Sequence, residues 1–376
     1  MSKSKRTLLV TGATGFIGGA IILELLKRTD ADLVCLVRPR RTETIQARLR
    51  TSLQAAADMY AEHLSAEDLG RCRAIAGDIT RSAGGVDIRE LGKISECWHV
   101  AASLAFEDER AGEILLHNKQ GTKNIVDLAK SSGCDTFNYV STAYVAGTRR
   151  GTIHEASVAD DAIPNNQYEL SKIGAERIVE DAAFGTTRIL RPSIVIGHSQ
   201  TCVATSFSGL YGFIRGLQRA RDEVRESLGD LLKFRALRIL ASADTPVNFI
   251  PIDYVARAAV DIAARDGRSG IYHLTNTAPP RLADCWDSLT SVLDMVRPVF
   301  VTDSDEFTLI DQKVDDEMAF YRSYLSDEKY FDVTNTVSVL GVDALRCSLD
   351  ANDIARHVEW YLKIVESRRA RIPVSA

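Results

Sequence analysis

The sequence lacks the features that mark several large classes of protein. No run approaches the 18 or more apolar residues that span a membrane, and the N-terminal MSKSKRTLLVTGATG has no apolar stretch of signal-peptide length. Lys plus Arg number 46 against 51 for Asp plus Glu, which gives a formal net charge of −5 rather than the basic surplus of nucleic-acid binders. We therefore expect a soluble, cytoplasmic protein that binds no nucleic acid and has no membrane span.

Cysteine is sparse and scattered. The seven cysteines include no CxxC pair, so neither a structural zinc site nor a disulfide framework is indicated. An odd, dispersed set of this kind is typical of buried, reduced thiols in a reducing compartment. We expect no metal site.

Short runs rich in Val and Ile alternate with longer segments of helical spacing over the first 200 residues. The predicted strands are Thr7–Val10, Leu33–Val37, Arg73–Ala76, Glu96–Val100, Phe137–Val140 and Thr187–Leu190. The predicted helices are Ile17–Leu26, Asn118–Ala129 and Asn166–Ala182. Because strands that are apolar throughout are typical of a parallel sheet covered on both faces, we predict an α/β fold with a doubly wound Rossmann sheet.

The pattern loosens after about residue 200. Gly209–Leu240 is predicted to be mostly helical, Pro246–Ile250 and Gly270–Leu274 to be strands, Ile252–Ala264 to be a helix, and Ala351–Ser367 to be the last helix. We predict two parts. Residues 1–200 plus about 246–275 form the Rossmann domain, and residues 201–245 and 276–376 form a smaller, helix-rich substrate-binding or lid region.

The glycine-rich segment TGATGFIGG follows the first strand and opens a helix, which is the context that a dinucleotide-binding turn requires. One glycine permits the tight turn, the next lets the backbone approach a pyrophosphate, and the third lets helix and strand pack closely. The helix N-terminus supplies N–H groups and a positive dipole end for the phosphates. The residues predicted to bind the cofactor here are Gly12, Thr14, Gly15, Phe16, Ile17 and Gly18.

The end of the second strand predicts which dinucleotide is bound. An NAD site usually carries Asp or Glu there, whereas this chain has Arg38, followed by Arg40 and Arg41. A guanidinium grips a 2′-phosphate bidentately, so NADPH is predicted as the cofactor. A solvated basic turn explains Arg40 and Arg41 better than Arg38.

The end of the third strand has two readings. After this strand, Asp78 is predicted either to accept from the adenine amino group, with Ile79 against the ring, or to cap the following segment.

A catalytic pattern follows the fifth strand. Ser141 and Thr142 close that strand, and Tyr168 and Lys172 lie four residues apart, on one face of a helix. A lysine near a phenol favours the phenolate and lowers its pKa. We therefore predict Tyr168 as the proton donor, Lys172 as its partner and Thr142 as a hydrogen-bond donor to the substrate oxygen.

The order of these motifs resembles the extended short-chain dehydrogenase/reductases over about residues 6–275. The resemblance implies further cofactor contacts at Ala101, Ala102, Ser103, Ser141, Lys172, Arg191, Pro192 and Ser193. It also implies that Asn118 supports a proton-relay water and that the segment Asn248–Val255 returns to the active-site edge. Many relatives dimerise, so a homodimer is left open.

Within that family, TGATGFIGG, CLVRPR and AGDIT are most similar to the thioester and fatty acyl reductase branch. This implies that an acyl thioester, carried by coenzyme A or a carrier protein, is reduced with NADPH to an aldehyde or alcohol. Glu169 departs from the branch, which usually has Gly after the tyrosine. So does the stretch HVAASLAF. The alternatives are an aldehyde or ketone reductase, an NAD-dependent nucleotide-sugar epimerase or dehydratase, and a regulatory protein that binds NADPH.

Several further residues have two interpretations. His99 and His117 lie near the predicted cleft as catalytic groups or as buried, hydrogen-bonded histidines. The apolar stripe from Phe207 to Ile214 is either an acyl lid or simply a packed helix face. Arg215, Arg219 and Arg221 either attract a phosphate or form a solvated, salt-bridged face. The aromatic segment Met318–Phe331 either lines the pocket or docks the C-terminal region.

Overall fold

The computed structural model describes residues 5–103, 111–322, 324 and 328–370. Its core is a sheet of seven parallel strands in the order β3-β2-β1-β4-β5-β7-β11. The thirteen strands are β1 Thr7–Thr11, β2 Asp32–Val37, β3 Cys72–Ala76, β4 Glu96–His99, β5 Thr136–Val140, β6 Gly151–Ile153, β7 Thr186–Pro192, β8 Ile194–Ile196, β9 Arg238–Leu240, β10 Phe249–Pro251, β11 Gly270–Leu274, β12 Val299–Val301 and β13 Lys329–Phe331.

Helices cover both faces of this sheet, which confirms the predicted doubly wound Rossmann fold. The described helices are α1 Phe16–Arg28, α2 Ile45–Met59, α3 Ala66–Gly70, α4 Ile88–Leu91, α5 Ala111–Leu115, α6 Gly121–Ser131, α7 Gln167–Asp181, α8 Leu210–Leu228, α9 Ile252–Arg265, α10 Leu282–Leu293, α11 Leu309–Glu317, α12 Thr334–Leu340 and α13 Ala351–Ala370. One core cluster packs α1, α2 and α9 against the sheet, and another packs α6 and α7 on the opposite face. Burial on both faces explains the continuous apolar run in strands such as β2, DLVCLV.

The strand order changes direction between β1 and β4. β1 pairs with β2 on one side and with β4 on the other, so the connections that leave these two strands run to opposite faces. Open α/β sheets bind ligands in the crevice at the carboxyl ends of the strands at such a point. The topology therefore places a cleft beside the turn that follows β1.

A further core cluster lies beyond the sheet. It packs α8, α10 and α13 together with β9 and β10, and buries Trp286 and Tyr361. Part of this region lies within the predicted substrate-binding region, whose division from the Rossmann domain stays a prediction. The tail after residue 370 and Leu104–Phe106 of the HVAASLAF stretch lie outside the described residues.

Three pairs of short strands depart from the sequence-based expectations. The strand predicted at Pro246–Ile250 is β10, and it pairs with β8 rather than joining the central sheet. The segment predicted as mostly helical to Leu240 leaves the helix at Leu228, and its end forms β9, which pairs with β12. β6 pairs with β13. Each strand is three residues long, too short for a periodic signal, and its partner lies far away in the chain.

Candidate active site

The turn between β1 and α1 brings backbone unusually close to backbone. Gly12 has φ +72°, and a Cβ placed there would lie 2.7 Å from the Ala101 nitrogen. A Cβ at Gly18 would lie 2.1 Å from the Gly12 carbonyl oxygen, and the Gly15 N–H donates to that same oxygen at 2.9 Å. Only hydrogen fits at these positions, so the N-terminus of α1 stays open to a ligand.

His99 ties the ends of β1 and β4 to α6. Its Nδ1 lies 2.7 Å from the Thr11 hydroxyl and its Nε2 lies 3.0 Å from the Thr122 hydroxyl. The Thr11 hydroxyl also accepts from the N–H groups of Val100 and Ala101, both at 3.2 Å. Burial, assisted by the charge of Lys172, lowers the pKa of His99 to about 3. Both ring nitrogens are occupied, so the interpretation as a buried structural histidine is the one that the geometry supports.

A positive edge lies where the β2 strand ends. Arg38 follows β2 and lines the cleft, and its carbonyl accepts a hydrogen bond from Arg48 of α2. Arg48 also donates to the Thr14 hydroxyl at 3.4 Å and lines the same cleft. Burial, with Arg40 and Arg38 nearby, lowers the pKa of Arg48. The sequence reasoning missed Arg48, because its ten-residue separation from Arg38 carries no motif.

Asp78 and Ile79 also line the cleft, at the end of β3. The Asp78 Oδ1 accepts from the Thr80 N–H at 3.0 Å and the Thr80 hydroxyl at 2.8 Å. The local capping role therefore exists in the structure. It leaves the Asp78 Oδ2 available for the predicted adenine contact.

Thr142, Tyr168 and Lys172 meet in one cavity of about 720 Å³. The Lys172 Nζ donates to the Val140 carbonyl at 2.8 Å and to the Tyr139 hydroxyl at 3.3 Å. Lys172 is 2% exposed, and burial lowers its pKa to about 7.

Tyr168 does not show the lowered pKa that the sequence predicts. Burial, assisted by the neighbouring charge of Glu169, raises the pKa of its phenol above 10. Desolvation disfavours the phenolate, and Lys172 is turned toward the end of β5. Tyr168 is therefore a protonated phenol in this structure, which is the form that a proton donor needs.

Asn118 lies beneath this group rather than in the cavity lining. A single π-helical turn, Leu116–Gln120, joins α5 to α6 and contains it. Its amide accepts from the Ser103 N–H at 2.7 Å and donates to the Ser103 carbonyl at 3.0 Å. Its Nδ2 also lies 2.9 Å from the Ser171 hydroxyl, which donates to the Tyr168 carbonyl. Asn118 thus links the segment after β4 to the helix of Tyr168.

Arg191, predicted to contact the cofactor, does not line the cavity. Arg191 is 1% exposed and forms a bidentate pair with Glu176 of α7, at 2.9 and 2.7 Å. Its side chain does not line the cavity, because it projects from the opposite face of β7. The other predicted contacts after β7, Pro192 and Ser193, do line it, and Ser193 donates to Asn248 at 2.6 Å.

Every other predicted site residue except Asn118 lines this cavity. The set comprises Gly12, Thr14, Gly15, Phe16, Ile17, Gly18, Arg38, Asp78, Ile79, Ala101, Ala102, Ser103, Ser141, Thr142, Tyr168, Lys172, Pro192 and Ser193. Ser141 also presents a buried hydroxyl with no hydrogen-bond partner in the described chain. His117 joins the lining, with its Nδ1 2.9 Å from the Glu113 carbonyl.

The same cavity continues into an apolar part between α8 and α10. Its walls there include Leu210, Phe213, Phe249, Leu282, Cys285, Trp286, Leu289, Tyr321 and Tyr324. Leu210 and Phe213 line the cavity, and both also pack with Tyr211 and Ile214 in the core beyond the sheet. The α8 stripe is therefore a packed helix face, and its role as an acyl lid stays a prediction. Arg221 pairs with Asp222, while Arg215 and Arg219 form no ion pair within the described residues.

The cavity has one part with charged walls and one part with apolar walls. The charged groups of the lining are Arg38, Arg48, Asp78, Glu113 and Lys172, all contributed by the Rossmann sheet and its helices. The described part of the chain contains no helix long and apolar enough to cross a membrane, and no cluster of three potential metal ligands. The arrangement fits a dinucleotide along the strand ends and an uncharged group between α8 and α10.

The comparisons with known proteins agree with this geometry. The NAD-binding family described as male sterility protein matches residues 10–259. An isonitrile lipopeptide synthase from Mycobacterium tuberculosis is 24% identical over 303 residues, which cover 73% of this chain and 12% of that protein. The chain thus spans a small fraction of the length of that relative.

Two solved structures share the fold. The terminal R domain of the myxalamid pathway has a TM-score of 0.76 at 24% identity, over 99% of this chain and 93% of that one. A thiolation-reductase di-domain of an archaeal non-ribosomal peptide synthetase has a TM-score of 0.75 at 20% identity, over 96% of this chain and 76% of that one. The family match and the cleft together indicate a nicotinamide dinucleotide cofactor. The chain belongs to the male sterility protein family of NAD-binding domains, and is an oxidoreductase of the extended short-chain dehydrogenase/reductase type.

Proposed function

We propose that this protein is an NADPH-dependent reductase whose substrate carbonyl belongs to an acyl thioester, carried by coenzyme A or a carrier protein. The observation that carries the proposal is that Thr142, Tyr168 and Lys172 line one cavity together with the glycine-turn residues, Arg38 and the apolar residues of α8 and α10. The likeness to a structure described as a thiolation-reductase di-domain supports a carrier-bound substrate.

Arg38 and Arg48 support NADPH over NADH. Both line the cleft where β2 ends, at the place where an NAD site carries an acid. Two guanidinium groups offer charge-assisted hydrogen bonds to a 2′-phosphate, whereas they leave a ribose hydroxyl without a matched acceptor.

Each residue of the site has its own role in the proposed reaction. The bound nicotinamide would supply hydride to the carbonyl carbon. Tyr168, kept protonated by burial, donates a proton to the carbonyl oxygen. The Thr142 oxygen accepts the Tyr144 N–H at 3.2 Å, which leaves the Thr142 hydroxyl proton for the same substrate oxygen. Lys172 holds the end of β5, and Asn118 holds Ser103 beneath the cleft.

The test is NADPH oxidation, followed by absorbance, with a panel of acyl-coenzyme A thioesters and the matching free aldehydes. We expect thioester-dependent oxidation with release of free thiol, and the aldehydes will show whether one or two hydrides are delivered. Tyr168→Phe should lower turnover by roughly 10²–10⁴-fold while NADPH still binds, because only the proton donor is lost. Exposed Tyr330→Phe is the matched control.

The outcomes separate the candidate functions. Turnover of aldehydes or ketones without thioesters would replace the proposal with simple carbonyl reduction. A purified protein that carries NAD and epimerises or dehydrates a nucleotide sugar would contradict it. Tight NADPH binding without turnover of either panel, or of the same acyl groups on a carrier protein, would point to a regulatory role.

A further inference from the structure

Glu169, the residue that follows Tyr168, is a buried carboxylate with a full set of partners. It is 0% exposed, and its Oε2 accepts from the Asn165 N–H at 2.7 Å. Its Oε1 accepts from the Tyr324 hydroxyl at 3.1 Å. Asn166, which caps α7, donates from its Nδ2 to the same hydroxyl at 3.3 Å. The start of the Tyr168 helix therefore holds a tyrosine that lies more than 150 residues further along the chain.

The held ring faces the reacting groups. Tyr324 lines the cavity and meets Tyr144 edge-to-face, with ring centroids 4.6 Å apart. Tyr144 lies two residues after Thr142, and its N–H donates to the Thr142 hydroxyl. On its other side Tyr144 packs against Phe331, at 5.6 Å. Thr142 lies two residues before Tyr144, and Tyr168 lies one residue before Glu169. Tyr144 and Glu169 both contact Tyr324.

Tyr321 extends the cavity wall that includes Tyr324 toward the apolar chamber between α8 and α10. It lines the cavity and packs edge-to-face on Phe213 of α8, with centroids 5.5 Å apart. Phe213 in turn packs on Trp286 of α10. Tyr321 and Tyr324 therefore connect the chamber between α8 and α10 to the catalytic pair.

Burying the Glu169 carboxylate makes the free energy of folding less favourable, so we expect its presence to serve a function. Removing a carboxylate from water is unfavourable, and its hydrogen bonds only offset that cost. The branch that this chain resembles usually has Gly after the tyrosine, and glycine has no side chain to reach Tyr324. On the side of the cavity, the buried Glu169 carboxylate has one effect: it holds the Tyr324 ring in a fixed position.

We infer that Tyr324 is a specificity-determining residue that positions the acyl group beside Thr142 and Tyr168, and that Glu169 is a positioning residue that holds Tyr324. This inference rests on the proposed function. A ring fixed by Glu169 and Asn166 presents one wall of constant shape to the acyl group next to the carbonyl. Orientation of this kind governs how often the carbonyl lies within reach of the donors.

The experiment compares Tyr324→Ala, Tyr324→Phe and Glu169→Gln with the wild type. For each we would measure kcat and KM with the best acyl thioester, and the Kd of NADPH. Tyr324→Ala should raise KM by about tenfold or more with a smaller change in kcat, while the Kd of NADPH stays within twofold, because the role inferred for Tyr324 is to position the acyl group and not to bind the cofactor or transfer the proton. Tyr330→Ala, an exposed tyrosine of the same segment, should match the wild type.

The coupling between the two residues is tested by the double variant. Tyr324→Phe removes the hydroxyl that donates to Glu169. Glu169→Gln leaves one neutral oxygen to accept from both the Asn165 N–H and the Tyr324 hydroxyl, so it weakens the same contact. The double variant should therefore raise KM no more than the larger single change. Additive increases would overturn the role of Glu169. A value of KM within twofold of wild type in Tyr324→Ala, or an equal loss of NADPH affinity, would overturn the role of Tyr324.

A binding measurement keeps this inference distinct from the proposed function. Calorimetry of a non-reacting acyl-coenzyme A mixture with enzyme saturated by NADP⁺ needs no turnover. Weaker binding in Tyr324→Ala supports the inference even if the wild type fails to reduce thioesters, in which case only the proposed reaction is wrong. Equal binding by wild type and Tyr324→Ala, or none by either, overturns the inference.

Discussion

At the scale of single residues, Lys172 is a buried lysine in the wall of the active-site cavity. Its ammonium has two acceptors, the Val140 carbonyl and the Tyr139 hydroxyl, and lies over the Tyr139 ring at 4.8 Å. Burial nevertheless lowers its pKa from 10.5 to about 7, so the charged form destabilises the fold. Proteins tolerate such a cost where function requires the group.

Lys172→Met should abolish turnover and raise stability near neutral pH. The folded pKa is depressed, so the stability attached to Lys172 is fully present above the unfolded value of 10.5 and is lost as pH falls through about 7. The gain in free energy of unfolding on substitution should therefore be largest at pH 6 and shrink toward pH 10. Urea unfolding of both proteins across this range measures it.

Exposed Lys119→Met provides the control for this experiment. It should leave the pH dependence of unfolding unchanged. A difference between Lys172→Met and wild type that stays constant from pH 6 to pH 10 would contradict the assigned pKa.

Arg38 and Arg48 should determine preference for the phosphorylated dinucleotide. Arg38→Asp or Arg48→Ala should weaken NADPH binding by about 10-fold or more, since a hydrogen bond to a charged group contributes roughly 1.5–3 kcal/mol. NADH binding should change much less. Fluorescence titration gives both Kd values, and Arg40→Ala, which does not line the cleft, is the matched control. Equal losses for the two dinucleotides would mean that these guanidinium groups do not contact a 2′-phosphate.

At the scale of elements, the turn between β1 and α1 depends on glycines, which have no side chain. Gly18→Ala would place a Cβ 2.1 Å from the Gly12 carbonyl oxygen, which cannot move because the turn holds it. We expect a loss of about 1–3 kcal/mol of stability from overpacking, with loss of dinucleotide binding. Chemical denaturation and NADPH titration check the two effects.

Gly112→Ala in α5 is the matched control for that substitution. Its Cβ would meet nothing within 4 Å, so a gain of up to about 1 kcal/mol is expected from helix propensity. If Gly18→Ala behaved like Gly112→Ala, the close packing of α1 on the turn would be disproved.

The elements also show what the sequence alone can predict. Strands β1 and β2 contain apolar runs of three and five residues and are recognisable locally, as are the glycine turn and the spacing of Tyr168 and Lys172. Arg48 and the Glu169–Tyr324 contact are not, because they depend on which helix packs where. The pairing of Arg191 with Glu176 is not predictable either, because a motif gives a position along a strand whereas the alternation of side chains decides the face.

At the scale of the whole molecule, tight packing should protect every thiol. All seven cysteines are buried, and burial raises the pKa of each of them, including Cys285 in the cavity wall. Iodoacetamide at neutral pH should leave the mass of the native protein unchanged and add seven adducts in guanidinium. Mass spectrometry reads both states. Rapid modification of the native protein at Cys202 or Cys347 would show that the packing around them opens readily.

The pairing of β6 with β13 has a consequence for how the chain is made. Gly151 lies beside Lys329, and Glu155 accepts hydrogen bonds from the His273 N–H and the Thr336 hydroxyl. During synthesis, the strands up to β7 leave the ribosome well before these partners do. At roughly 5–20 residues per second, the Glu155 carboxylate therefore stays hydrated for on the order of ten seconds before its partners in the folded protein emerge.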